Sequence, residues 1–494
     1  MLKLRKFLLV ALCAFIIFGT LCGCGEKYKD SIIYFELLEK PQTLDPQMAS
    51  SDSELLIVRN IYEGLLREDK DGNIALGVCE DYSYENLTYT FNIKKDAVWS
   101  NGNKVTAYDF EYAFRRAVDP KINAPFVNRL LAIENAEAIS SGNADLSTLG
   151  VNALNDTTLT ITMCKEDDSF LKTLTTSICM PCNEAFFEES IGKYGLDAKC
   201  IISNGSYRLT KWNKEEFGIR IYKNEQYCGR CTAQNAAVFI SCIDDEPQTS
   251  RLSGGESDIA FLGSEELETA KNAGLATKNV QNICWIMTIG RNYNDEVRRA
   301  FATSFNADVY KNALPVGFDV AKSVFPDILG INTDNIGMTE YNLDEAKQIM
   351  SDQIYKMEDK KFPPSTLYYY NASGVKALAT AIVGHWQQNL STFINIEASE
   401  NLEALQNELK DNSTLEFALF PIVAKSNYFN EYAKMFVSRS NAQAPDILQQ
   451  EALADYTILP VAYQSTNISY ISTLENVIAC EDNGYVDFSH IIKR

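Results

Sequence analysis

The chain has 494 residues, of which 46% are hydrophobic and 22% charged, and its formal net charge is −21. This composition is typical of a folded protein of roughly two to four domains, or one large bilobed body, and argues against a disordered chain. The acidic balance argues against binding nucleic acid or anionic lipid through overall charge. Only His385 and His490 are histidines, and phosphate-loop, dinucleotide and nucleophile-elbow motifs are absent, so no enzyme is predicted.

The N-terminus has the form of an export signal. Three basic residues precede an apolar run over residues 7–18, which is too short to span a membrane comfortably. The sequence Leu-Cys-Gly-Cys ending at Cys24 resembles a bacterial lipobox, so we expect residues 1–23 to be removed and Cys24 to be lipidated. Losing three cations and no acids takes the net charge from −21 to −24. The protein would then sit on the extracytoplasmic face of the cell membrane, with residues 24–32 as a tether; the alternative is a stub of membrane helix.

Ten cysteines lie beyond this segment, and cysteines outside the cytoplasm usually pair. Two Cys-x-x-Cys pairs have the spacing of half-sites for a zinc ion held by four thiolates. Disulfides, or free thiols in an anaerobe, are the alternatives, and no metal or cofactor is predicted. The ten residues are Cys79, Cys164, Cys179, Cys182, Cys200, Cys228, Cys231, Cys242, Cys284 and Cys480, with the pairs at 179/182 and 228/231.

Strand and helix patterns mix along the rest of the chain. Apolar residues alternate with polar ones over residues 87–93 and 159–163, which predicts two half-buried strands. Between them, Thr106 is predicted to cap a helix, with Asp109 at the third helical position. A second helix is predicted to begin at Asn342. This mixed order indicates an α/β or α+β fold with more than one lobe.

Several short segments occur in one characteristic order. They are residues 43–47, 60–66, 89–93, 98–102, 105–110, 115–116, 204–209, 253–258 and 294–298. Together they resemble the extracytoplasmic solute-binding proteins of peptide and nickel ABC transporters, family 5. The resemblance covers most of residues 33–310, and residues 459–461 resemble the family's last core strand. Trp99 is expected to pack beside a turn at Gly102, and Asn204 with Gly205 is expected to form a turn into a strand.

The resemblance implies a two-lobed clamp of the class II periplasmic-binding type, with an additional small inserted domain. The expected boundaries are residues 33–70, 200–282 and 478–494 for lobe I, 71–199 for the inserted domain, and 283–477 for lobe II. It also implies a ligand that enters a hinged cleft and favours the closed form, which ABC permease subunits recognise.

Ligand-binding positions follow from the same resemblance. For each of them, packing in the core or a place in a surface turn is the alternative. The candidates are Ala49, Ser50, Ser51, Asp52, Phe261, Leu262, Trp285, Asn371, Phe420, Ile422, Lys425 and Tyr463.

The sequence departs from the family pattern where an aspartate binds the amino terminus of the peptide. The matching position falls on Ala424 or Lys425, and no aspartate occurs between Asp411 and Asp446. Because a lysine repels an ammonium group, the ligand is left open as a peptide or a related small solute.

Three functions are therefore weighed. The first is the lipid-anchored binding component of an ABC importer. The second is a surface receptor or scaffold that keeps the fold without import. The third is a zinc- or thiol-dependent enzyme using the Cys-x-x-Cys pairs, and the shortage of histidines makes it the weakest.

Overall fold

The structure is a computed structural model. It describes residues 32–37, 39–69, 73–167, 169–214, 217–229, 231, 235–242, 246–332, 339–409, 414–424, 432, 435–436, 445–480 and 485–494. The predicted lipidation site Cys24 and the candidate Lys425 lie outside these residues.

The largest sheet runs through most of the molecule. Its strands lie side by side in the order β15-β14-β16-β12-β17-β11-β1-β10-β9-β8, and β13 also pairs with β17. The strands are β1 (Ile32–Glu36), β8 (Tyr207–Asn213), β9 (Gly218–Lys223), β10 (Ala237–Ser241), β11 (Ile259–Leu262), β12 (Ala276–Ile289), β13 (Phe318–Val320), β14 (Ser365–Tyr370), β15 (Ile394–Ser399), β16 (Phe417–Val423) and β17 (Ile458–Tyr470).

A second, antiparallel sheet has the order β4-β5-β7-β6 and lies within the predicted inserted domain. Its strands are β4 (Cys79–Glu85), β5 (Thr88–Ile93), β6 (Val151–Asn155) and β7 (Thr158–Thr162). Short two-stranded sheets are formed by β2 (Leu66–Glu68) with β3 (Ile74–Leu76), β18 (Leu474–Glu475) with β21 (Ile492–Lys493), and β19 (Ile478–Cys480) with β20 (Tyr485–Asp487).

Helices connect and cover these sheets. They are α1 (Asp52–Ile61), α2 (Ala107–Val118), α3 (Ala136–Ser140), α4 (Phe170–Thr173), α5 (Glu184–Glu189), α6 (Gln248–Gly254), α7 (Leu267–Asn272), α8 (Asp295–Thr303), α9 (Ala307–Tyr310), α10 (Leu343–Lys356), α11 (Val375–Leu390), α12 (Leu402–Gln406) and α13 (Pro445–Leu453).

The local predictions from the sequence are confirmed. The alternating residues form β5 and β7, with Phe91 and Leu159 completely buried. Thr106 caps α2, and its backbone N–H donates to Asp109 at 2.8 Å. Asn342 caps α10 by accepting the backbone N–H of the third helical residue.

The two predicted turns also form. Trp99 is fully buried, and its indole N–H donates to Asp109, while Gly102 takes a positive φ of 87°. Gly205 is required for a different reason. A Cβ on this residue would lie 2.7 Å from the backbone of Ile61 and Tyr62. The turn before β8 therefore packs directly on the end of α1.

The three largest of the buried clusters organise the core. The first includes Phe35 of β1 and Phe91 of β5, so the smaller sheet and one half of the main sheet share a continuous core. The other two clusters cover opposite faces of the other half of the main sheet. Trp285 lies in one of these, and its neighbour Cys284 lies in the other, because successive side chains of a strand point to opposite faces.

Candidate ligand-binding site

Two long strands join the halves of the main sheet. β12 and β17 pair antiparallel from Ala276 with Tyr470 to Thr288 with Ile458. At one end β17 pairs with β11 beside the first core cluster, and at the other end β12 pairs with β16 between the second and third clusters. These crossing strands are where a hinge between two lobes is expected.

The pairing of the two strands is interrupted at Asn282, where the register shifts. Its side-chain oxygen accepts the backbone N–H of Thr466 at 3.2 Å and the hydroxyl of Thr466 at 3.0 Å. Its carbonyl accepts the N–H of Ala424 at 2.7 Å. The buried Asn282 therefore supplies polar partners where the regular ladder is broken.

The two halves touch beside this crossing. Ser264 follows β11 in the first half, and Gly317 precedes β13 in the second. Gly317 has a φ of 75°, and a Cβ on it would lie 2.6 Å from the Cβ of Ser264. Nearby, the side-chain oxygen of Gln281 accepts the backbone N–H of Asp327 at 3.4 Å. The two halves are therefore in contact beside the crossing strands β12 and β17.

The candidate loop at Ala49 to Asp52 is the N-terminus of α1. The carboxylate of Glu54 accepts the backbone N–H groups of Ser50 and Ser51 at 2.9 and 3.1 Å. Its other oxygen accepts the N–H groups of Gln42 and Thr43 at 2.9 and 3.0 Å. Ser51 caps α1, Ala49 is fully buried and Asp52 begins the helix. The N–H groups of Ser50 and Ser51 are thus used inside the protein.

Glu54 is a residue that the sequence interpretation missed. Its signal was the capping box Ser51-x-x-Glu54, in which the glutamate returns to the N-cap backbone. Close by, burial and the neighbouring charge of Asp52 raise the pKa of Glu39.

Phe261 and Leu262 both lie inside the protein on β11. Phe261 packs edge-on against Phe35 at 5.6 Å between ring centroids, and Leu262 belongs to a small cluster with Leu252 and Ala270. Their exposed fractions are 4% and 3%. This geometry favours the packing role, and a ligand contact for either residue stays a prediction.

Trp285 lies on β12 just past the register shift and is 1% exposed. Its indole N–H donates to the side-chain oxygen of Gln464 on β17 at 2.8 Å. Its ring packs 5.6 Å from Phe318 and 6.5 Å from Tyr370, which are both half-buried. Trp285 therefore supports an aromatic group whose other members, Phe318 and Tyr370, are partly open to solvent. Gln464 is a further residue that the sequence interpretation missed.

Three more candidates lie together in the third cluster. Phe420, Ile422 and Tyr463 pack around Cys284 on adjacent strands β16, β12 and β17. Phe420 and Ile422 are 0% and 1% exposed, so both are core side chains. Their contact with a ligand also stays a prediction.

Tyr463 is held by hydrogen bonds. Its hydroxyl accepts the backbone N–H of Ser323 at 3.0 Å and lies 3.0 Å from the carbonyl oxygen of Phe325. Burial raises the pKa of Tyr463 to about 12. The hydroxyl therefore satisfies backbone groups of the loop after β13.

Asn371 is the most exposed of the described candidates in the second half. It follows β14, its backbone N–H donates to Ser399, and its amide donates to Glu400 at 2.6 Å. It lies at the end of a parallel strand pair, directly after Tyr370, which packs against the cluster around Tyr463. The hydrogen bonds of Asn371 within the described residues go to Ser399 and Glu400, and a shared site with the loop at Ala49 to Asp52 stays a prediction.

Neither Cys-x-x-Cys pair forms a metal centre in the part of the chain that the structure describes, where no three metal-binding side chains converge. Burial raises the pKa values of Cys179 and Cys182 to about 12, and that of Cys228 to about 11. These thiols are therefore protonated at neutral pH.

Residues 43–444 match the family model of the bacterial extracellular solute-binding proteins, family 5 Middle. The chain belongs to this family. This is a family of substrate-binding proteins and not a family of enzymes. Membership confirms the resemblance that the ordered sequence motifs indicated.

Two relatives from one organism are named as peptide-binding proteins. The dipeptide-binding protein DppE of Bacillus subtilis is 26% identical over 428 residues, which cover 83% of this chain and 77% of DppE. The oligopeptide-binding protein OppA of the same organism is 26% identical over 411 residues, covering 78% of this chain and 74% of OppA.

The fold is shared with solved structures. Listeria monocytogenes OppA bound to peptide superimposes with a TM-score of 0.74 and 20% identity, covering 94% of this chain and 99% of that protein. The chain is therefore a mixed α/β protein with the predicted two-lobed architecture, while the exact lobe boundaries stay a prediction. Among the helices of the described residues, none combines the length and apolar character needed to cross a bilayer.

Proposed function

We propose that this chain is the lipid-anchored, extracytoplasmic substrate-binding protein of an ABC importer. It captures a peptide or a related small solute between its two lobes and delivers it to a membrane permease. The observation that carries this proposal is membership of the solute-binding family over residues 43–444. The names of the two Bacillus relatives favour peptides as the ligand class.

Closure around a ligand is consistent with the geometry at the crossing strands. β12 and β17 are the long connections between the halves, and their ladder is interrupted by register shifts at Asn282 and between Trp285 and Ile286, which favour bending there. The contact between Ser264 and Gly317 lies beside this point and would form as the lobes close. A ligand that bridges the lobes would favour the closed form by its additional contacts.

Recognition of a free peptide amine would need a different anion from the family's aspartate. The stretch between Asp411 and Asp446 contains no aspartate. A peptide would instead be held by backbone hydrogen bonds, which do not depend on its side chains. In the first lobe, the N–H groups of Ser50 and Ser51 are already bound to Glu54, so carbonyl groups there would have to accept from the ligand.

Native mass spectrometry tests ligand capture. The chain from residue 25 onward contains every described residue and would be measured intact, then denatured to release its ligand. A released peptide, or a thermal shift on adding peptide mixtures, is the expected result. A different small molecule would keep the transport function and change the substrate. A protein that stays empty with all of them would contradict ligand capture and favour the receptor or scaffold.

Lipid anchoring and delivery need separate measurements. The mass of the full chain recovered from bacterial membranes is expected to show removal of residues 1–23 and a diacylglyceryl group on Cys24. Cys24→Ser is expected to abolish that added mass. Delivery is tested by ligand-dependent stimulation of ATP hydrolysis by the reconstituted permease, and absence of stimulation by the loaded protein would contradict it.

A further inference from the structure

One face of the main sheet is rich in cations and aromatic rings and open to solvent. It is the outer face of the four adjacent strands β8, β9, β10 and β1, whose inner face packs on the first core cluster. We call it the basic face. It consists of Arg208, Lys211, Arg220, Tyr34, Tyr222 and Phe239.

Strand register aligns these side chains in two rows. Lys211 pairs with Arg220, Arg220 with Phe239, and Phe239 with Tyr34. In the next row, Arg208 pairs with Tyr222. Because side chains alternate between the faces of a strand, all of them project away from the core.

The aromatic rings of the basic face form one connected group. Phe239 lies 5.6 Å from Tyr34 and 6.3 Å from Tyr222 between ring centroids. The guanidinium of Arg220 sits 4.7 Å above the ring of Phe239. The ammonium of Lys493 lies 5.7 Å from the Tyr34 ring, and Tyr34 and Tyr222 remain 38% and 37% exposed, so the group is partly open to solvent.

Within the described residues, the cations of the basic face form no ion pairs with carboxylates. Among the described residues no ion pair involves Arg208, Lys211 or Arg220, and all three are exposed. Acids at the border of the face are already bound. Arg251 pairs with Glu36 and Glu256, and Lys493 pairs with Asp258. The six residues of the basic face therefore carry three cations and no carboxylate, on a protein whose net charge is −21.

The position of the basic face in the chain limits its distance from a membrane. Only residues 25–31 separate the predicted lipidated Cys24 from Ile32, the first residue of β1. At about 3.5 Å per residue this connection spans at most about 28 Å. Ile32 lies in the same row as Arg208 and Tyr222, and the four strands together are only about 14 Å wide.

We propose that the basic face docks on the anionic phospholipid surface to which the protein is anchored. Lys and Arg near such a surface are attracted to its head groups, and tyrosine rings favour the boundary between head groups and acyl chains. The short tether holds the face at a high local concentration over the lipid. The remaining acidic surface is repelled, so docking would fix the orientation of the first lobe and leave the second free to move.

The geometry of this docking rests on the lipid anchor of the proposed function. The test therefore uses the chain without its anchor and without ligand, so that failure to dock can be told apart from failure of the proposed function. The chain from residue 25 onward, which contains all the core clusters, is sedimented with vesicles of equal parts phosphatidylglycerol and phosphatidylcholine. Binding is expected at low salt, with loss at high salt and on vesicles of phosphatidylcholine alone.

The decisive variant is the triple change Arg208→Glu, Lys211→Glu and Arg220→Glu. It is expected to weaken vesicle binding by at least about tenfold. The matched control Lys347→Glu, Lys356→Glu and Lys376→Glu makes the same charge change at exposed positions on α10 and α11 and is expected to weaken it much less. If the first variant unfolds, the same three residues changed to Gln keep most of the side-chain stems and should still weaken binding.

Equal losses in the face and control variants, or no binding of the unaltered chain to anionic vesicles, would overturn the docking proposal. So would a crosslinker on the anchored protein at Lys211 that captures a permease subunit in place of lipid. A protein that docks on vesicles but captures no ligand would contradict only the proposed function. A protein that captures ligand but never docks would contradict only the docking.

Discussion

Arg116 of α2 binds Asp45 in the loop after β1, and both side chains are buried. The guanidinium donates to one carboxylate oxygen of Asp45 at 2.8 Å and contacts the other in a second bond, and it also donates to Gln47 at 2.8 Å. The two residues come from separate motifs of the family, residues 43–47 and 115–116. These motifs therefore meet in space and join the first half of the main sheet to the smaller sheet.

Arg116→Met is expected to lower the free energy of unfolding by about 3–5 kcal/mol, because it leaves Asp45 buried and unpaired. Denaturant unfolding measures this loss. Adding Asp45→Asn should restore part of it, because the buried charge is then removed. Arg115→Met is the matched control, since Arg115 is 36% exposed and pairs only with Glu111 one turn away. Its cost should be below about 1 kcal/mol, and equal costs would contradict the structural role of Arg116.

Glu54→Gln is expected to cost about 3 kcal/mol of unfolding free energy. One carboxylate accepts four backbone N–H groups here, and an amide presents an NH₂ group to two of these donors. Glu39→Gln is the control. Glu39 lies beside the same loop but is exposed to solvent, so removing its charge next to Asp52 should change the free energy of unfolding by less than about 1 kcal/mol. Comparable destabilisation by both variants would argue against the role assigned to Glu54.

Tyr463→Phe separates packing from ligand binding. Removing the hydroxyl leaves the N–H of Ser323 without its partner, so we expect a loss of about 1–2 kcal/mol in unfolding free energy. Affinity for the ligand released in the native mass measurement should change less than about threefold if Tyr463 only packs. A larger loss of affinity with little loss of stability would instead establish the ligand contact that the sequence resemblance predicted.

Gly317→Ala is expected to hinder closure of the lobes. The added Cβ would meet Ser264, and such overpacking should weaken ligand binding by about tenfold, measured by calorimetry. Gly330→Ala is the control, because Gly330 has a similar φ of 66° but open space around its missing Cβ. Both variants bear the same backbone strain. Only Gly317→Ala should weaken binding, and equal effects would show that the contact does not limit closure.

The contribution of His385 to stability should fall as the pH drops from about 7 to 5. Burial lowers the pKa of His385, and its ring nitrogen Nε2 donates to the carbonyl of Ser304 at 3.0 Å. The unfolded chain therefore takes up a proton on this residue at a higher pH than the folded protein does. His385→Gln should remove this contribution, so the unfolding midpoint should decrease less with falling pH than it does in the unaltered chain. An unchanged slope, or an NMR titration of His385 at or above the ordinary value, would contradict this.

Local structure could be predicted from the sequence with few errors. The strands β5 and β7, the helices starting at Thr106 and Asn342, and the buried Trp99 beside its turn all depend on patterns within a few residues. Alternation, capping and glycine conformation act over that range, so a single sequence contains them.

The candidate site was only partly accessible from sequence. Membership of the family could be recognised from ordered motifs. The candidates Phe261, Phe420 and Ile422 nevertheless lie in the core. A match to a cleft position in the family does not specify which face of a strand points towards the cleft. A shift of one residue moves a side chain to the opposite face. Gln464 could not have been chosen, because its contact with Trp285 crosses 179 residues.

The sequence by itself determined the family, the acidic charge and the local elements, because these depend on composition and short-range order, while the export signal stays a prediction. Only the tertiary structure decided that Glu54 uses the N–H groups of the candidate loop, that Arg116 reaches Asp45, and that Arg208, Lys211 and Arg220 share one open face. Each of these facts depends on which strands become neighbours and in which register. That pairing is set by burial of the whole core and not by any one segment.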